Sequence, residues 1–260
     1  MEAPVAVVTG ASSGIGASFA RVLAARGHEL VLVARNESRL ADLATELERE
    51  HSTKTEVLGA DLERDAGVAR VAARLGDDAR PVELLVNNAG FGTSGPFHTL
   101  PVEQERSEIR LNVVALVELT HAALGPMVQR GHGGVINVSS VGAYQPTPLS
   151  ATYGATKAFV SNFTNAIHEE LRGTGVKAMV LAPGFTHTEF HVRAGITSKG
   201  MPEFLWQSAD EVAEVAMRAY DRGRAVCVPG AINNVAAAFS GSMPAGVSRR
   251  VAGLVTKRAY

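Results

Sequence analysis

The sequence predicts an α/β protein, with one doubly wound parallel sheet of about seven strands and helices on both faces. Short apolar runs alternate along the chain with longer segments in which apolar residues recur at helical spacing. The short runs are almost continuously apolar, as strands buried on both faces are. Strands that alternate with helices pair in parallel, and right-handed crossovers between them produce the doubly wound arrangement.

Each predicted strand except the last is followed by a helical pattern. The predicted strands are Val5–Val8, Leu30–Ala34, Val57–Ala60, Leu84–Asn87, Val135–Ser139, Val176–Leu181 and Ala225–Val228. The helices are marked in turn by Ile15, Phe19 and Val22, by Leu40, Leu43 and Leu47, by Val68, Val71 and Leu75, by Ile109, Val113 and Leu116, by Phe159, Phe163 and Ile167, and by Val212, Val215 and Ala219. These spacings place each apolar set on one helix face, toward the sheet.

Composition limits the class of protein. With 260 residues, a single domain over residues 1–260 is predicted. A content of 46% hydrophobic and 20% charged residues excludes a disordered chain. The net charge of −1 gives no general attraction to nucleic acid or an anionic membrane, so neither partner is expected. Cys227 is the only cysteine and no signal peptide is apparent, so we expect a cytoplasmic protein.

Two stretches break the alternation of strands and helices. Residues 185–207 follow the sixth predicted strand, at the sheet edge where ligands bind in such folds, and are the predicted substrate loop. Residues 230–260 form a C-terminal segment rich in Ala, Gly and Val that ends with basic residues. This segment either packs on the protein or a subunit partner, or docks to lipid. The absence of a strong aromatic and leucine face favours packing.

A glycine-rich turn, Thr9–Gly16, lies between the first predicted strand and the first helix. Glycines at such a position permit a tight turn and let the backbone approach a pyrophosphate. The helix N-terminus adds unpaired N–H groups and the positive end of a dipole. The turn therefore predicts a nucleotide-binding site.

The end of the second predicted strand indicates which nicotinamide cofactor binds. NAD sites usually carry an acidic side chain there, about 20 residues after the glycine turn, for the ribose 2′-hydroxyl. This strand instead ends at Arg35, whose guanidinium matches a 2′-phosphate in charge and geometry, and Arg39 follows one turn later. The alternatives are that both arginines are solvated residues at a helix start and that Glu37 binds the ribose. We predict NADP(H) rather than NAD(H).

Three patterns together resemble the short-chain dehydrogenase/reductase family. The spacing Gly-x-x-x-Gly-x-Gly occurs over Gly10–Gly16, and Asn-Asn-Ala-Gly occurs over Asn87–Gly90. The order Asn112, Ser140, Tyr153, Lys157 is similar to the family's catalytic tetrad. The resemblance covers nearly the whole chain and weakens after about residue 185. It implies a Rossmann-like NAD(P)-dependent oxidoreductase that forms a homodimer or homotetramer through the helices carrying Asn112 and Tyr153.

The chemistry of carbonyl reduction needs these residue types. Hydride addition builds negative charge on oxygen, which must be protonated. A free tyrosine has a pKa near 10, and nearby cations, Lys157 and the oxidised nicotinamide, are expected to lower the pKa of Tyr153. Tyr153 then gives a proton in reduction or takes one in oxidation, while Ser140 stabilises the charged oxygen. Lys157 is also expected to hold the nicotinamide ribose and Asn112 a water. Alternation along the strand points Ser139 the other way.

The resemblance also implies the cofactor contacts. Pro183–Thr188 is similar to the family's Pro-Gly-x-x-x-Thr element, which makes Thr188 the predicted carboxamide contact and Thr186 the alternative. An aspartate placed like Asp61 holds the adenine amino group in the family, and Asp61 also suits an N-cap for a helix from Glu63. The predicted cofactor-binding residues are Gly10, Ser12, Ser13, Gly14, Ile15, Gly16, Arg35, Asp61, Leu62, Asn88, Ala89, Gly90, Tyr153, Lys157, Pro183, Gly184 and Thr188.

The predicted substrate is a hydrophobic ketone or secondary alcohol. Apolar residues in the substrate loop suggest a cover over the ligand, although about half of them are expected to pack on the core. They are Phe190, Val192, Ile196, Met201, Phe204, Leu205 and Trp206, with Phe91 and Tyr144 extending the wall.

His187, Glu189 and His191 have a spacing found in metal sites, but no further ligands accompany them and we predict no metal. The alternatives are a non-catalytic nucleotide sensor and a membrane-surface reductase of lipid ketones.

Overall fold

The computed structural model of the chain describes residues 3–190, 203–231, 233–234, 246–247, 249–250 and 252–253. The strands are β1 (Val5–Thr9), β2 (Glu29–Ala34), β3 (Thr55–Gly59), β4 (Val82–Asn87), β5 (Gly133–Val138), β6 (Val176–Leu181) and β7 (Val226–Cys227). The helices are α1 (Gly14–Ala25), α2 (Glu37–His51), α3 (Asp65–Leu75), α4 (Val102–Ile109), α5 (Leu116–Arg130), α6 (Ala151–Glu170) and α7 (Ala209–Asp221). All seven strands form one parallel sheet, so the predicted α/β class is confirmed.

The predicted strand boundaries are close to those observed. The sixth strand begins and ends at the predicted residues, and the other six differ by one or two residues at one or both ends. Several of the added residues are polar, as at Glu29 and Thr55, which pair with Val5 and Leu30. Apolar runs identify the buried centre of a strand, whereas backbone hydrogen bonding continues into its polar ends.

The core lies in two layers, one on each face of the sheet. Side chains alternate along β1 and β2, so Val8 and Leu32 pack with residues of α1, α2 and α7. Their neighbours Val7 and Val33 pack on the opposite face with residues of α3 and α5. Because both faces of the sheet are covered, consecutive residues in the centres of these strands are apolar.

The strand order positions the site. In the order β3-β2-β1-β4-β5-β6-β7, β1 lies between β2 and β4, and the direction of winding reverses there. Such a reversal opens a crevice at the carboxyl ends of the two central strands, where ligands bind. The glycine turn leaves β1 and the segment from Asn88 leaves β4 at this point.

The long helix predicted to carry Asn112 is interrupted. It consists of α4, a π-helical segment over Arg110–Ala115, and α5. Helical periodicity in the sequence does not distinguish a π-helical turn from an α-helical one. Short π-helical insertions are frequent at functional sites, and this one contains Asn112.

By length and composition alone, one described helical stretch, Val102–Arg130, could span a membrane, because an 18-residue window within it has a mean hydropathy of 1.5. Core helices of soluble proteins pass the same test. Leu119, Ala123 and Met127 of this stretch pack in the core against the sheet. The apolar face of this stretch therefore covers the sheet in this structure.

Parts of both irregular stretches lie outside the described residues. Val192, Ile196 and Met201 of the substrate loop are among these, as is most of residues 230–260. At the base of the loop, Thr186 and Gln207 form an isolated parallel bridge, which periodicity did not predict. A short 3₁₀ helix covers Glu203–Leu205. A single domain over residues 1–260 stays a prediction.

Candidate active site

The glycine turn is tightly packed. Gly10 and Gly14 have positive φ angles of +67° and +55°, a region that favours glycine. A Cβ added to Gly16 would lie 2.3 Å from the carbonyl oxygen of Gly10 and 2.5 Å from Nδ2 of Asn88. The predicted role of these glycines agrees with this geometry, because the turn has no room for a side chain at position 16.

The segment after β4 is fixed beside the glycine turn. Asn88 donates from Nδ2 to the carbonyl of Thr9 at 2.9 Å. The Thr9 hydroxyl accepts from the backbone N–H groups of Asn88 and Ala89 at 2.9 and 3.0 Å. Asn87 is buried and donates to Asn137 Oδ1 on β5 at 3.0 Å. Asn87 therefore ties the central strands together, while Asn88 and Ala89 edge the crevice.

A cleft of about 430 Å³ opens at this crevice. Seven of the predicted cofactor-binding residues line it, namely Gly10, Ser12, Arg35, Asp61, Leu62, Ala89 and Gly90. The remaining lining residues are Val33, Ala34, Asn36, Arg39, Ala60, Glu63 and Leu111. The cleft thus connects the glycine turn to the end of β2, as a dinucleotide-binding crevice does.

Both arginines at this end of the cleft have carboxylate partners. Arg35 donates from Nη1 to Glu63 Oε1 at 2.8 Å, and its side chain is 65% exposed. Arg39 contacts both carboxylate oxygens of Glu189 at 3.0 and 3.1 Å. Exposed ion pairs of this kind contribute little stability, so both guanidinium groups can exchange partners readily. The pairing of these arginines with Glu63 and Glu189 was not predicted, because contacts between residues far apart in the sequence leave no local pattern.

The role of Asp61 at the helix start differs from the sequence interpretation. Its Oδ1 accepts from the backbone N–H of Glu63 at 3.1 Å. Helix α3, however, begins at Asp65, and its N-cap position is Arg64. Asp61 therefore caps the turn that precedes the helix and does not cap a helix from Glu63. Its side chain remains at the edge of the cleft.

The segment after β6 reaches the glycine turn. A Cβ added to Gly14 would lie 3.0 Å from the methyl carbon of Thr188. Thr186, the alternative contact, is buried and donates its hydroxyl to the carbonyl of Gly184 at 3.1 Å. The carbonyl of Pro183 accepts from Val141 N at 3.0 Å. Thr188 is therefore the threonine that adjoins the turn.

Tyr153 and Lys157 lie on one face of α6, as their spacing predicts. The Lys157 ammonium is 5.8 Å from the centroid of the Tyr153 ring and donates to the carbonyl of Val138 at 2.9 Å. Ser140 hydrogen-bonds the Tyr153 phenol, which lowers the phenol's pKa, and accepts from Gly142 N at 3.1 Å. These three side chains therefore meet beyond the carboxyl end of β5.

The expected lowering of the tyrosine pKa does not hold in this structure. Burial of the phenol, together with the smaller effect of the Glu108 charge, raises the pKa of Tyr153 to about 12. Burial also lowers the pKa of Lys157 to about 8. The prediction relied on two cations, Lys157 and the oxidised nicotinamide, and only the first belongs to the chain. Desolvation is the largest influence on the pKa of the phenol in this structure.

Asn112 holds the loop after β4. Its Nδ2 donates to the carbonyl of Phe91 at 2.8 Å and to the Thr156 hydroxyl at 3.2 Å, and its Oδ1 accepts from Phe91 N at 3.1 Å. The side-chain amide thus connects the π-helical segment, the loop and α6. Its predicted contact with a water stays a prediction. Ser139 points away from the site and donates to the carbonyl of Lys157 at 2.7 Å.

The described part of the substrate loop is mixed in its packing. The Phe190 ring lies 5.4 Å from the Tyr153 ring, so this predicted cover residue adjoins the predicted proton donor. Trp206 packs on Phe185 and stacks on the His187 ring at 4.8 Å. Phe204 is 71% exposed.

Of the two histidines with a spacing found in metal sites, His187 pairs with Glu203 at 3.0 Å, and His191 lies outside the described residues.

A buried polar cluster, which the sequence patterns did not predict, lies behind the site. Glu105 and Glu108 of α4 hydrogen-bond Thr93 in the loop after β4. Glu105 also accepts from the hydroxyl of Thr152, the residue before Tyr153. The four-residue interval between Glu108 and Asn112 was the one available signal, because it places both on one helix face.

A doubly wound sheet with this glycine turn and tyrosine–lysine pair defines a dinucleotide-binding oxidoreductase. The family model described as short chain dehydrogenase matches residues 4–198. The chain therefore belongs to the short-chain dehydrogenase/reductase family, whose members bind a nicotinamide cofactor. The predicted family membership is confirmed.

Relatives and solved structures agree with this assignment. Sulfoacetaldehyde reductase 2 of Chromohalobacter salexigens is 39% identical over 194 residues, 74% of this chain and 76% of the relative. A short-chain dehydrogenase from Sphingobium yanoikuyae in complex with NADPH is 38% identical, with a TM-score of 0.83, covering 93% of this chain and 96% of that one. The bulky-bulky ketone specific alcohol dehydrogenase from Comamonas testosteroni is 30% identical, with a TM-score of 0.80, covering 94% and 96%.

Proposed function

We propose that this protein is an NADP(H)-dependent oxidoreductase that interconverts a hydrophobic ketone and its secondary alcohol. One observation carries the proposal. Tyr153 lies between Ser140, which hydrogen-bonds its phenol, and the Phe190 ring. The Lys157 ammonium is 5.8 Å from the centroid of the Tyr153 ring. A proton donor, an oxygen-stabilising hydroxyl and an apolar contact surface thus meet at one point, which suits reduction of an apolar carbonyl compound.

The residues around the cleft fit the cofactor. The glycine turn admits a pyrophosphate close to the backbone at the start of α1. Arg35 and Arg39 at the far end match the charge of a 2′-phosphate, and Asp61 suits the adenine amino group. Thr188 beside Gly14 suits the carboxamide. NADP(H), when bound, supplies the hydride in reduction and accepts it in oxidation. The NADPH complex of the Sphingobium yanoikuyae relative supports the choice of NADP(H).

The chain's own residues perform the proton chemistry. With its pKa raised to about 12, the Tyr153 phenol is protonated at neutral pH, which is the state a proton donor needs in reduction. Ser140 donates to the carbonyl oxygen as negative charge develops on it. Lys157 supplies a positive charge behind the phenol and, through its place on α6, holds the ribose side of the cofactor. The same groups act in reverse in oxidation, where the phenolate takes the proton from the alcohol.

A series of ketones tests the substrate class. NADPH oxidation is measured for ketones of increasing alkyl length, with sulfoacetaldehyde as a small polar comparator. Each buried methylene contributes up to about 0.8 kcal/mol, so kcat/KM is expected to rise up to about fourfold per methylene until the pocket is full. A flat or falling series, with faster reduction of the polar comparator, would contradict an apolar site.

We also propose that the chain forms a homodimer or homotetramer through the helices carrying Asn112 and Tyr153. Apolar side chains are exposed on these helices at Ile109, Val114 and Phe159. Exposed apolar residues that group on helix faces are typical of subunit contacts. Sedimentation velocity measures the mass directly. We expect a dimer or tetramer for the wild type and a shift toward monomer for Phe159→Asp, whereas a wild-type monomer at micromolar concentration would contradict the proposal.

A further inference from the structure

Two buried carboxyl groups lie side by side behind the candidate active site. Glu105 and Glu108 are 5% and 0% exposed, and Thr93, which lies between them, is 8% exposed. Acidic side chains are rarely buried to this extent without a cationic partner. The hydrogen bonds of both carboxyl groups within the described residues go to Thr93 and Thr152, which are neutral.

The hydrogen-bond geometry requires one more proton than two ionised carboxylates supply. Thr93 Oγ1 lies 2.7 Å from Glu105 Oε1 and 2.8 Å from Glu108 Oε2. A threonine hydroxyl has one proton and donates to only one of these oxygens. If both groups were ionised, the second contact would join two oxygens without a hydrogen between them. A proton on one carboxyl group lets that group donate to Thr93, while Thr93 donates to the other.

The remaining contacts place this proton on Glu108. Both oxygens of Glu105 have hydroxyl partners, Thr93 and Thr152. In Glu108, Oε2 also accepts from Thr93 N at 2.9 Å, but Oε1 is buried and has no hydrogen-bond partner within the described part of the chain. Burial raises the pKa of Glu108 to about 7, although its hydrogen bonds with Thr93 lower it. The less solvated carboxyl group is therefore the one that keeps the proton.

We infer that Glu105, Thr93 and Glu108 form a buried proton site that holds one proton in acid and releases it as the pH rises, changing the charge beside Tyr153 and Lys157. The titratable groups that face Glu108 are Glu105 from its own helix and Tyr153 and Lys157 from α6. The loop after β4 contributes Thr93, which does not titrate. Glu108 is a positioning residue, because it acts on the reaction through Tyr153 and Lys157.

The sign of the effect follows from the charges. Ionised Glu108 raises the pKa of both Tyr153 and Lys157. Carbonyl reduction needs the phenol as proton donor and the ammonium as cation, so both must be protonated. Release of the proton from Glu108 therefore extends reduction to higher pH. This catalytic consequence rests on the proposed function, whereas the proton site itself does not.

Infrared difference spectroscopy tests the proton site without a measurement of enzyme turnover. The wild-type protein is titrated between about pH 5 and pH 9, a range that brackets a carboxyl group raised by burial. We expect the carbonyl stretch of a protonated carboxylic acid in acid and its loss in base. Glu108→Gln should lack this band, because its amide donates permanently to Thr93. Glu103→Gln, which changes an exposed residue of the same helix, should keep it.

Two results would overturn the inference. One is the absence of a titrating carboxylic acid band in the wild-type protein. The other is a band unchanged in Glu108→Gln or, if that variant does not fold, a band whose titration midpoint does not fall in Glu105→Gln, which removes the neighbouring charge that raises the pKa of Glu108. For activity, the alkaline limb of the kcat/KM profile for ketone reduction should lie roughly half to one pH unit lower in Glu108→Gln than in wild type. An unshifted limb would show that the site does not act on the reaction, whereas an inactive wild type would count against the proposed function alone.

Discussion

Tyr153→Phe is expected to lose ketone reduction about 100- to 10,000-fold in kcat while still binding NADPH. The change removes the phenol that donates the proton and leaves the ring that contacts Phe190. Positioned general acids contribute rate factors of this size. Steady-state kinetics measure the loss, and fluorescence titration with NADPH measures the retained binding.

The matched control is Tyr220→Phe. Tyr220 is a partly buried tyrosine of α7, on the face of the sheet packed by α1, and its hydroxyl lies near Gly134. Removing that hydroxyl should leave kcat within about twofold of wild type, because it has no part in the proposed proton transfer. Near wild-type turnover in Tyr153→Phe would show that the proton comes from another group.

Arg35→Ala is expected to weaken NADPH binding far more than NADH binding. The guanidinium is proposed to contact only the 2′-phosphate, and the loss of a charge-assisted hydrogen bond costs about 1.5–3 kcal/mol, or about 10- to 150-fold in Kd. Because the side chain is 65% exposed, we expect the lower part of that range. Binding constants for both cofactors are measured by calorimetry.

An arginine of α2 that does not line the cleft provides the control. Arg49 is exposed and pairs with Glu50, away from the residues that line the cleft. Arg49→Ala should leave both cofactor affinities unchanged, which separates a local contact from a general change in charge. Equal losses of NADPH and NADH affinity in Arg35→Ala would mean that Arg35 does not recognise the phosphate.

The fold was predictable from sequence because its signals are local. The strand Val176–Leu181 is apolar at every position except the exposed Lys177, and its predicted and observed bounds agree. The π-helical turn around Asn112 was not predictable, because its residues also satisfy an α-helical pattern. The bridge between Thr186 and Gln207 joins residues far apart in sequence and has no periodic signal.

The candidate site was predictable where short motifs specify the backbone. The motif residue Asn88 lies against Thr9 and Gly10, as the Asn-Asn-Ala-Gly and glycine patterns imply. The pKa of Tyr153 was not predictable, since it depends mainly on how far packing removes the phenol from water. Glu108 was not singled out either, because a glutamate in a helix is ordinarily solvated and only packing places it in the interior.

Transfer of a labelled hydride tests the central claim most directly. The protein is incubated with a long-chain ketone and NADPH carrying deuterium on the transferred position of the nicotinamide, and the alcohol is analysed by mass spectrometry. We expect one deuterium on the carbinol carbon with wild-type protein and almost none with Tyr153→Phe. An unlabelled alcohol, or no alcohol from any ketone of the series although NADPH binds, would contradict the account of this protein as an NADP(H)-dependent ketone reductase.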